Sequence, residues 1–268
     1  MTDIDKTRDD YFREEDGETS ILRSILGLFT FSTIIPLNVY TTIDEMAKMT
    51  WFWPLINAFV GFIGVIIAFF LNNILHFPIF LTAVLVYGFF ILINGCHHLD
   101  GLLDFSDAVM FQGSAEKKIS IMRDSLIGTG AISSLFLTAL VTISCYFTFI
   151  GNHLIWILLI SEMCAKLGLL TVCVTSTPYK DGTGRAFIKY MSLPKYVLSV
   201  VICLIIATII NPSLGVFGVL GGILGGGITS FVCKRHIKVA TGDVLGASNE
   251  LGRMFSLLIM LIPLMSML

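Results

Sequence analysis

The chain has 268 residues, of which 55% are hydrophobic and only 13% are charged, and its mean hydropathy is +0.87. So apolar a composition excludes an ordinary soluble domain and predicts a polytopic membrane protein. The formal net charge of −2 argues against a nucleic-acid partner.

The first twenty residues carry eight acidic and three basic side chains and almost nothing apolar. We expect residues 1–20 to be a disordered polar tail without a signal peptide, ahead of a single membrane-embedded catalytic domain at 21–268. Residues 21–37 are apolar but contain Arg23 and Pro36. That stretch is compatible with an eighth span, a re-entrant segment or an interfacial helix.

Seven apolar runs are long enough to cross a bilayer core of about 30 Å, which predicts an all-α helical bundle. The glycines between Gly215 and Gly227 have the small-residue spacing of close helix packing, not of a phosphate loop. The six cysteines form no C-x-x-C pair and are expected to be free thiols. The expected spans are 51–75, 78–96, 127–150, 153–175, 196–210, 213–232 and 251–268.

Lysine and arginine are concentrated in alternate connections between these runs. They occur in residues 1–50, 97–126, 176–195 and 233–250, and they are absent from the loops near 76, 151 and 212. Since basic loops stay in the cytoplasm, seven crossings predict a protein of the cell (inner) membrane with these four regions on the cytoplasmic side.

The segment His97–Asp107 concentrates acidic side chains beside the apolar runs. Asp100, Asp104 and Asp107 fall within roughly 60° of one helix face. Like charges so close repel one another, and a hard divalent cation such as Mg²⁺ removes the repulsion. His97 shares this arc, whereas the adjacent His98 points about 100° away. The alternative is a solvated acidic loop.

A second polar cluster, Arg123-Asp124-Ser125, precedes the third apolar run. We expect Asp124 to lie at a helix N-terminus that faces the first three aspartates, which would give four acids for one or two metal ions. Arg123 is a candidate phosphate contact, and a plain surface ion pair is its alternative.

Three further sets of charged residues are candidate substrate contacts. Asp243 and Glu250 share a helix face, although Asp243 or Thr241 would also suit a helix cap. Glu162 and Lys166 lie one turn apart within a span, either as a structural pair or as a pair that contacts substrate. The third set is the basic loop 177–185 with Lys180 and Arg185, which lacks the spacing of a phosphate loop.

Three sequence blocks together resemble the cobalamin synthase family, the adenosylcobinamide-GDP ribazoletransferases, from about residue 25 to the C-terminus. The resemblance is weaker near Pro36 and in the basic loop. The blocks are HLDGLxDxxD at 98–107, IMRDSxxGT at 121–129, and TGDxLGA at 241–247 with ELG at 250–252. The chain departs from the family pattern at two positions. Ala108 stands where the family usually has glycine, and Ala165 stands where the family commonly has serine before a basic residue, which here is Lys166.

The resemblance implies a polytopic inner-membrane enzyme of late cobalamin assembly that requires Mg²⁺. It would join adenosylcobinamide-GDP to α-ribazole or α-ribazole 5′-phosphate and release GMP. The family also looks related to CDP-alcohol phosphotransferases, whose aspartates hold metal against a pyrophosphate. Gly128 stands where a fourth aspartate of that pattern is expected, so the metal would be held differently.

The resulting hypothesis places metal on Asp100, Asp104, Asp107 and Asp124, while Arg123, Lys180 and Arg185 neutralise phosphate charge. His97 or one of the acids accepts the proton of the attacking hydroxyl. The alternatives are a CDP-alcohol phosphotransferase of lipid synthesis and a divalent-cation transporter, although acids at span ends argue against transport. Membrane lipid is an expected partner, and the sequence leaves a homo-oligomer open.

Overall fold

The computed structural model describes residues 20–266, so most of the predicted polar tail lies outside the described residues. Within this range the chain is helical and forms no extended strand. The twelve α-helices are α1 (Ile21–Ser32), α2 (Ile43–Lys48), α3 (Trp53–Phe69), α4 (Ile79–Ile93), α5 (His97–Met110), α6 (Ala115–Ile121), α7 (Thr129–Gly151), α8 (Ile157–Thr175), α9 (Gly184–Tyr190), α10 (Leu193–Ile210), α11 (Pro212–His236) and α12 (Gly242–Met265).

Six of these helical segments are long and apolar enough to cross a membrane. They are Thr50–Ile74, which extends α3 by a 3₁₀ turn and a π turn, together with α7, α8, α10, α11 and α12. Helix α4 passes the same test only together with α5, from which it is bent by 90°, so residues 20–266 contain six or, with this bent pair, seven segments able to span a membrane. The predicted helical membrane bundle is confirmed, and α12 begins at Gly242 rather than near residue 251.

The length of helix α1 excludes an eighth span, one of the three alternatives for residues 21–37. Its 12 residues extend only about 18 Å, too short to cross the bilayer core. After it the backbone N–H of Ile34 donates to the carbonyl oxygen of Ile93 at 2.8 Å. This hydrogen bond ties the segment after α1 to the C-terminal end of α4, beside the start of α5.

Helix α8 is the centre of the bundle, because nearly all of its side chains are buried against α3, α11 and α12. Glycines on α11 allow this packing. A Cβ added at Gly222 would lie 2.6 Å from the carbonyl oxygen of Cys164, and one at Gly225 would lie 2.6 Å from that of Leu251. The predicted packing role of the glycine run is therefore confirmed, and all six cysteines are free.

The turn between α4 and α5 redirects the chain toward one end of the bundle. Gly95 and Cys96 both adopt positive φ, at 61° each. Cys96 is the unusual member, since an L side chain is disfavoured there. The connections 94–96, 111–128, 176–183 and 237–241 contribute residues to the site together with α5 and α12.

Candidate functional site

Two glycines bring the first and third sequence blocks into direct contact. A Cβ added at Gly101 of α5 would lie 2.7 Å from the carbonyl oxygen of Asp243 and 3.0 Å from the Cα of Gly246 on α12. The backbones therefore touch at this point. As a result, Asp100 on α5 and Asp243 in the first turn of α12 line the same cavity.

Asp107 has a task that the sequence did not reveal. Its carboxylate oxygens accept hydrogen bonds from the backbone N–H groups of Gly128 at 2.6 Å and Ala131 at 2.8 Å. Asp107 thus caps the N-terminus of α7 from a different helix. The expectation that Asp124 begins this helix is wrong, because α7 starts at Thr129 and Asp124 lies in the preceding loop.

Three adjoining cavities open at this end of the bundle. The aromatic cavity has a volume of about 300 Å³. Its lining includes Phe31, Trp53, Phe187, Asn94, His97, His98 and Asp100. The carboxylate cavity, of about 400 Å³, is lined by Asp100, Asp104, Arg123 and Asp124. The loop cavity, of about 180 Å³, is lined by Arg123, Tyr179, Asp181, Thr183 and Asp243.

Shared residues join the three cavities into one site. Asp100 belongs to the aromatic and carboxylate cavities, Arg123 to the carboxylate and loop cavities, and Asp243 to the loop and aromatic cavities. The predicted residues His97, Asp100, Asp104, Arg123, Asp124 and Asp243 therefore lie together. The site combines carboxylates, one guanidinium and an aromatic wall.

Backbone pairing holds the loop cavity together. The N–H of Tyr179 donates to the carbonyl oxygen of Ala240 at 2.8 Å, and the N–H of Ala240 donates to that of Thr177 at 2.8 Å. The Arg123 guanidinium lies 5.0 Å from the centre of the Tyr179 ring and 3.9 Å from the Asp181 carboxylate. Both members of that ion pair are more than half exposed, so the pair is weak and the guanidinium is available to an anion.

Lys166 does not pair with Glu162, so the predicted i,i+4 pair is wrong. The Lys166 ammonium contacts Nε2 of His98 and lies 5.0 Å from the centre of the Trp53 ring. It is fully buried. Since His98 and Trp53 both line the aromatic cavity, Lys166 supports the wall of that cavity from behind.

Glu162 instead forms an ion pair with Arg253, which also pairs with Glu250. Asn57 and Tyr146 add hydrogen bonds to Glu162, at 3.2 Å and 3.4 Å. Glu250, a predicted substrate contact, is therefore part of a buried polar cluster and lines none of the three cavities, although it shares a helix with Asp243. The cap of that helix is Thr241, whose hydroxyl accepts from the N–H of Val244.

Lys180 and Arg185 lie at the edge of the site. Both are exposed, and Arg185 donates to the carbonyl oxygen of Lys180 at 2.8 Å. Neither lines any of the three cavities, although other residues of their loop line the loop cavity. The structure therefore places these two cations outside the carboxylate cavity.

The donor set of the carboxylate cavity fits a hard cation, because Asp100, Asp104 and Asp124 offer the oxygens that Mg²⁺ prefers. Between residues 20 and 266, no three His, Cys, Asp or Glu side chains form a ready-made metal cage. The three carboxylates therefore suit a hard cation by the chemistry of their oxygens and by lining one cavity, and they do not form a closed ligand shell.

A family model described as cobalamin-5-phosphate synthase matches residues 24–261. The chain belongs to the cobalamin-5-phosphate synthase family. Family membership makes it an enzyme, a transferase of cobalamin biosynthesis, and its helices are those of a multi-pass membrane protein. The family expected from the three sequence blocks is therefore confirmed.

Curated relatives agree with this assignment. The adenosylcobinamide-GDP ribazoletransferase of Methanococcoides burtonii is 29% identical over 260 residues, covering 92% of this chain and 94% of the relative. Its namesake from Clostridioides difficile is 27% identical over 249 residues, covering 88% of this chain and 96% of the relative. No solved structure matches the chain.

Three residues that line the aromatic cavity, Trp53, Phe187 and His98, were not predicted from the sequence. Trp53 lies in the apolar run 51–75, where nothing distinguishes a cavity wall from a lipid contact, and Phe187 lies in the basic region 176–195, where no motif marks it. His98 was set aside because it points away from the aspartate arc, yet the contact with Lys166 holds it at the aromatic cavity. The signal that could have marked His98 is its position as the first residue of the block at 98–107.

Proposed function

We propose that this enzyme transfers the adenosylcobinamide-phosphate group from adenosylcobinamide-GDP to a ribose hydroxyl of α-ribazole. The alternative acceptor is α-ribazole 5′-phosphate, in which the 5′-oxygen is already esterified, so that a different ribose hydroxyl attacks. The products are adenosylcobalamin, or its 5′-phosphate, and GMP. The observation that carries the proposal is the meeting of the three cavities at Asp100, Arg123 and Asp243. The names of the relatives supply the substrate class.

The carboxylates and Arg123 together define where the pyrophosphate would bind. Asp100, Asp104 and Asp124 would hold Mg²⁺, which when bound neutralises pyrophosphate oxygens and stabilises the leaving phosphate. The Arg123 guanidinium, at the border of two cavities, binds phosphate oxygens in a bidentate manner. Asp107 keeps the loop that carries Arg123 and Asp124 against α5 through its bonds to α7.

The bond changes follow from this placement. The acceptor oxygen attacks the phosphorus that carries the cobinamide, the new P–O bond forms, and the P–O bond to GMP breaks. We assign the acceptor proton to His97, an exposed imidazole on the wall next to Asp100. The Nε2 atom of His98 is already contacted by Lys166, which leaves that ring a supporting role.

We also propose that the site faces the cytoplasm of a cell whose inner membrane holds the protein. All three cavities lie at the end of the bundle that carries the basic connections. A cysteine at position 117 in a cysteine-free background should therefore be labelled by a membrane-impermeant thiol reagent only in permeabilised or inverted membranes. Labelling in intact cells contradicts this orientation.

The reaction itself is tested with the purified full chain in detergent. Adenosylcobinamide-GDP is incubated with α-ribazole or its 5′-phosphate, with Mg²⁺ or with EDTA, and GMP and the corrinoid product are quantified. We expect stoichiometric GMP and product that depend on Mg²⁺. Consumption of a CDP-activated lipid in place of the GDP-activated corrinoid would identify the alternative phosphotransferase and overturn the proposal.

A further inference from the structure

Three aromatic rings from three separate elements form one wall of the aromatic cavity. Trp53 of α3 and Phe187 of α9 have ring centres 4.8 Å apart, and Phe31 of α1 lies 5.2 Å from Phe187 and 6.2 Å from Trp53. Trp53 and Phe187 are buried, whereas Phe31 is 37% exposed. Such a wall suits a planar ring that packs against it.

The same cavity is lined by two residues that each have one buried polar atom without a partner among residues 20–266. Asn94 is 3% exposed, and its Nδ2 donates to the carbonyl oxygen of Phe90 at 2.7 Å. That bond fixes the orientation of the amide and leaves Oδ1 as an acceptor without a donor. The indole Nε1–H of Trp53 is a donor without an acceptor. Buried groups left in this state are unfavourable, so a ligand that satisfies both gains affinity.

Size and hydrogen-bonding capacity select among the parts of the substrates. The cavity of about 300 Å³ is at the small end of ligand sites, and a corrin ring does not fit it. The benzimidazole of α-ribazole, once joined to ribose, carries no N–H donor for the Asn94 oxygen. Guanine carries both kinds of group, with N1–H and the 2-amino group as donors and O6 and N7 as acceptors.

The position of the aromatic cavity also favours guanine as its ligand. The aromatic cavity shares Asp100 with the carboxylate cavity, where the pyrophosphate is proposed to bind. A nucleotide can therefore place its base against the aromatic wall and its phosphates at the carboxylates. We propose that the aromatic cavity is the guanine subsite of the enzyme, with Trp53 and Asn94 as its specificity-determining residues. This inference rests on the proposed function for the identity of the nucleotide.

Binding measured without turnover tests the subsite separately from the reaction. Radiolabelled GMP, CMP and α-ribazole are dialysed against the purified full chain in detergent, with Trp53→Phe and Phe187→Leu as variants. Phe80→Leu is the control, since Phe80 is 59% exposed and contacts Phe147 at the opposite end of α4. We expect GMP to bind in preference to CMP and to lose about tenfold in affinity in both variants but not in the control. Binding of α-ribazole should not change.

A second measurement uses the unaltered chain, so that it stands even if a variant does not fold. The nucleotide 1-methyl-GMP, which has lost the N1–H donor, should bind at least about tenfold more weakly than GMP. Equal binding of GMP, 1-methyl-GMP and CMP, or a loss confined to α-ribazole in the two variants, overturns the guanine subsite. Turnover with unaltered GMP affinity in the variants defeats the subsite alone. Selective GMP binding without turnover defeats the proposed reaction alone.

Discussion

The guanidinium of Arg253 pairs with the carboxylate of Glu162 inside the bundle, although the two residues are 91 positions apart in the chain. Both side chains are almost fully buried. This pair, with Glu250 as its third member, connects α8 to α12 and so fixes the helix whose first turn carries Asp243.

Replacing Arg253 should destabilise the protein strongly. Arg253→Met leaves Glu162 and Glu250 buried without their cation, and breaking such a pair costs about 3–5 kcal/mol. We expect loss of folded protein in a detergent thermal-unfolding assay, with partial recovery in Glu162→Gln/Arg253→Met. The exposed Arg235 provides the control Arg235→Met, which should unfold as the unaltered chain does. Equal effects at the two positions would contradict the buried network.

Lys166 should behave differently from Arg253, because its ammonium contacts an imidazole and an indole ring rather than a carboxylate. Lys166→Met should leave the folded fraction nearly unchanged but release His98, which lowers kcat or raises KM. In a double-mutant cycle, Lys166→Met and Glu162→Gln should be additive within about 0.5 kcal/mol in stability. A large coupling energy would indicate that Glu162 and Lys166 interact directly, contrary to the structure.

The contact between Gly101 and Gly246 predicts that α5 has no room for one additional carbon atom. In Gly101→Ala the new Cβ meets the backbone of Asp243 at 2.7 Å, so the helices must separate. We expect lower thermal stability and loss of activity. Gly88→Ala on α4 is the matched control, because nothing lies within 4 Å of its added Cβ. Alanine there should be neutral or stabilise by up to about 1 kcal/mol.

Asp107 should prove important for stability as well as for activity. In Asp107→Asn the amide nitrogen replaces one of the two acceptor oxygens, so one of the two hydrogen bonds to α7 is lost, at a cost of about 1 kcal/mol. Thermal unfolding should shift downward. Gly128→Ala should have a similar effect, since its Cβ would lie 2.6 Å from the Asp107 carboxylate. An unchanged unfolding temperature in Asp107→Asn would contradict the cap, and loss of activity at that unchanged temperature would favour the metal-ligand role that the sequence predicts for Asp107.

The sequence revealed the helical class and the blocks at Asp100, Arg123 and Asp243, because local periodicity and charge are sufficient for both. It did not reveal that Asp107 caps α7 or that Arg253 binds Glu162. Those partners lie 21 or more residues away, and only the packing of different helices brings them together. Proximity along one helix suggested the pair of Glu162 with Lys166, and a stronger bidentate donor from α12 displaces Lys166 from that carboxylate.

Asp104 provides the sharpest test of the carboxylate cavity. Asp104→Asn keeps the shape of the side chain but removes one of the negative charges that would attract Mg²⁺. We expect turnover to fall at least about 10²-fold, the effect of losing one strong electrostatic contact in a transition state. The variant should remain folded, because removing one of several crowded carboxylates relieves repulsion. The measurement is GMP release over a range of Mg²⁺ concentrations.

The control for Asp104 is Asp44→Asn, an exposed acid in α2 that lines none of the cavities at the site. It should retain full activity at every Mg²⁺ concentration. Asp243→Asn should fall between the two, since Asp243 lines two cavities while Thr241 supplies the cap of α12. A raised Mg²⁺ requirement in Asp104→Asn but not in Asp243→Asn would place the cation in the carboxylate cavity. Near-normal turnover of Asp104→Asn with an unaltered Mg²⁺ dependence would remove Asp104 from the metal site.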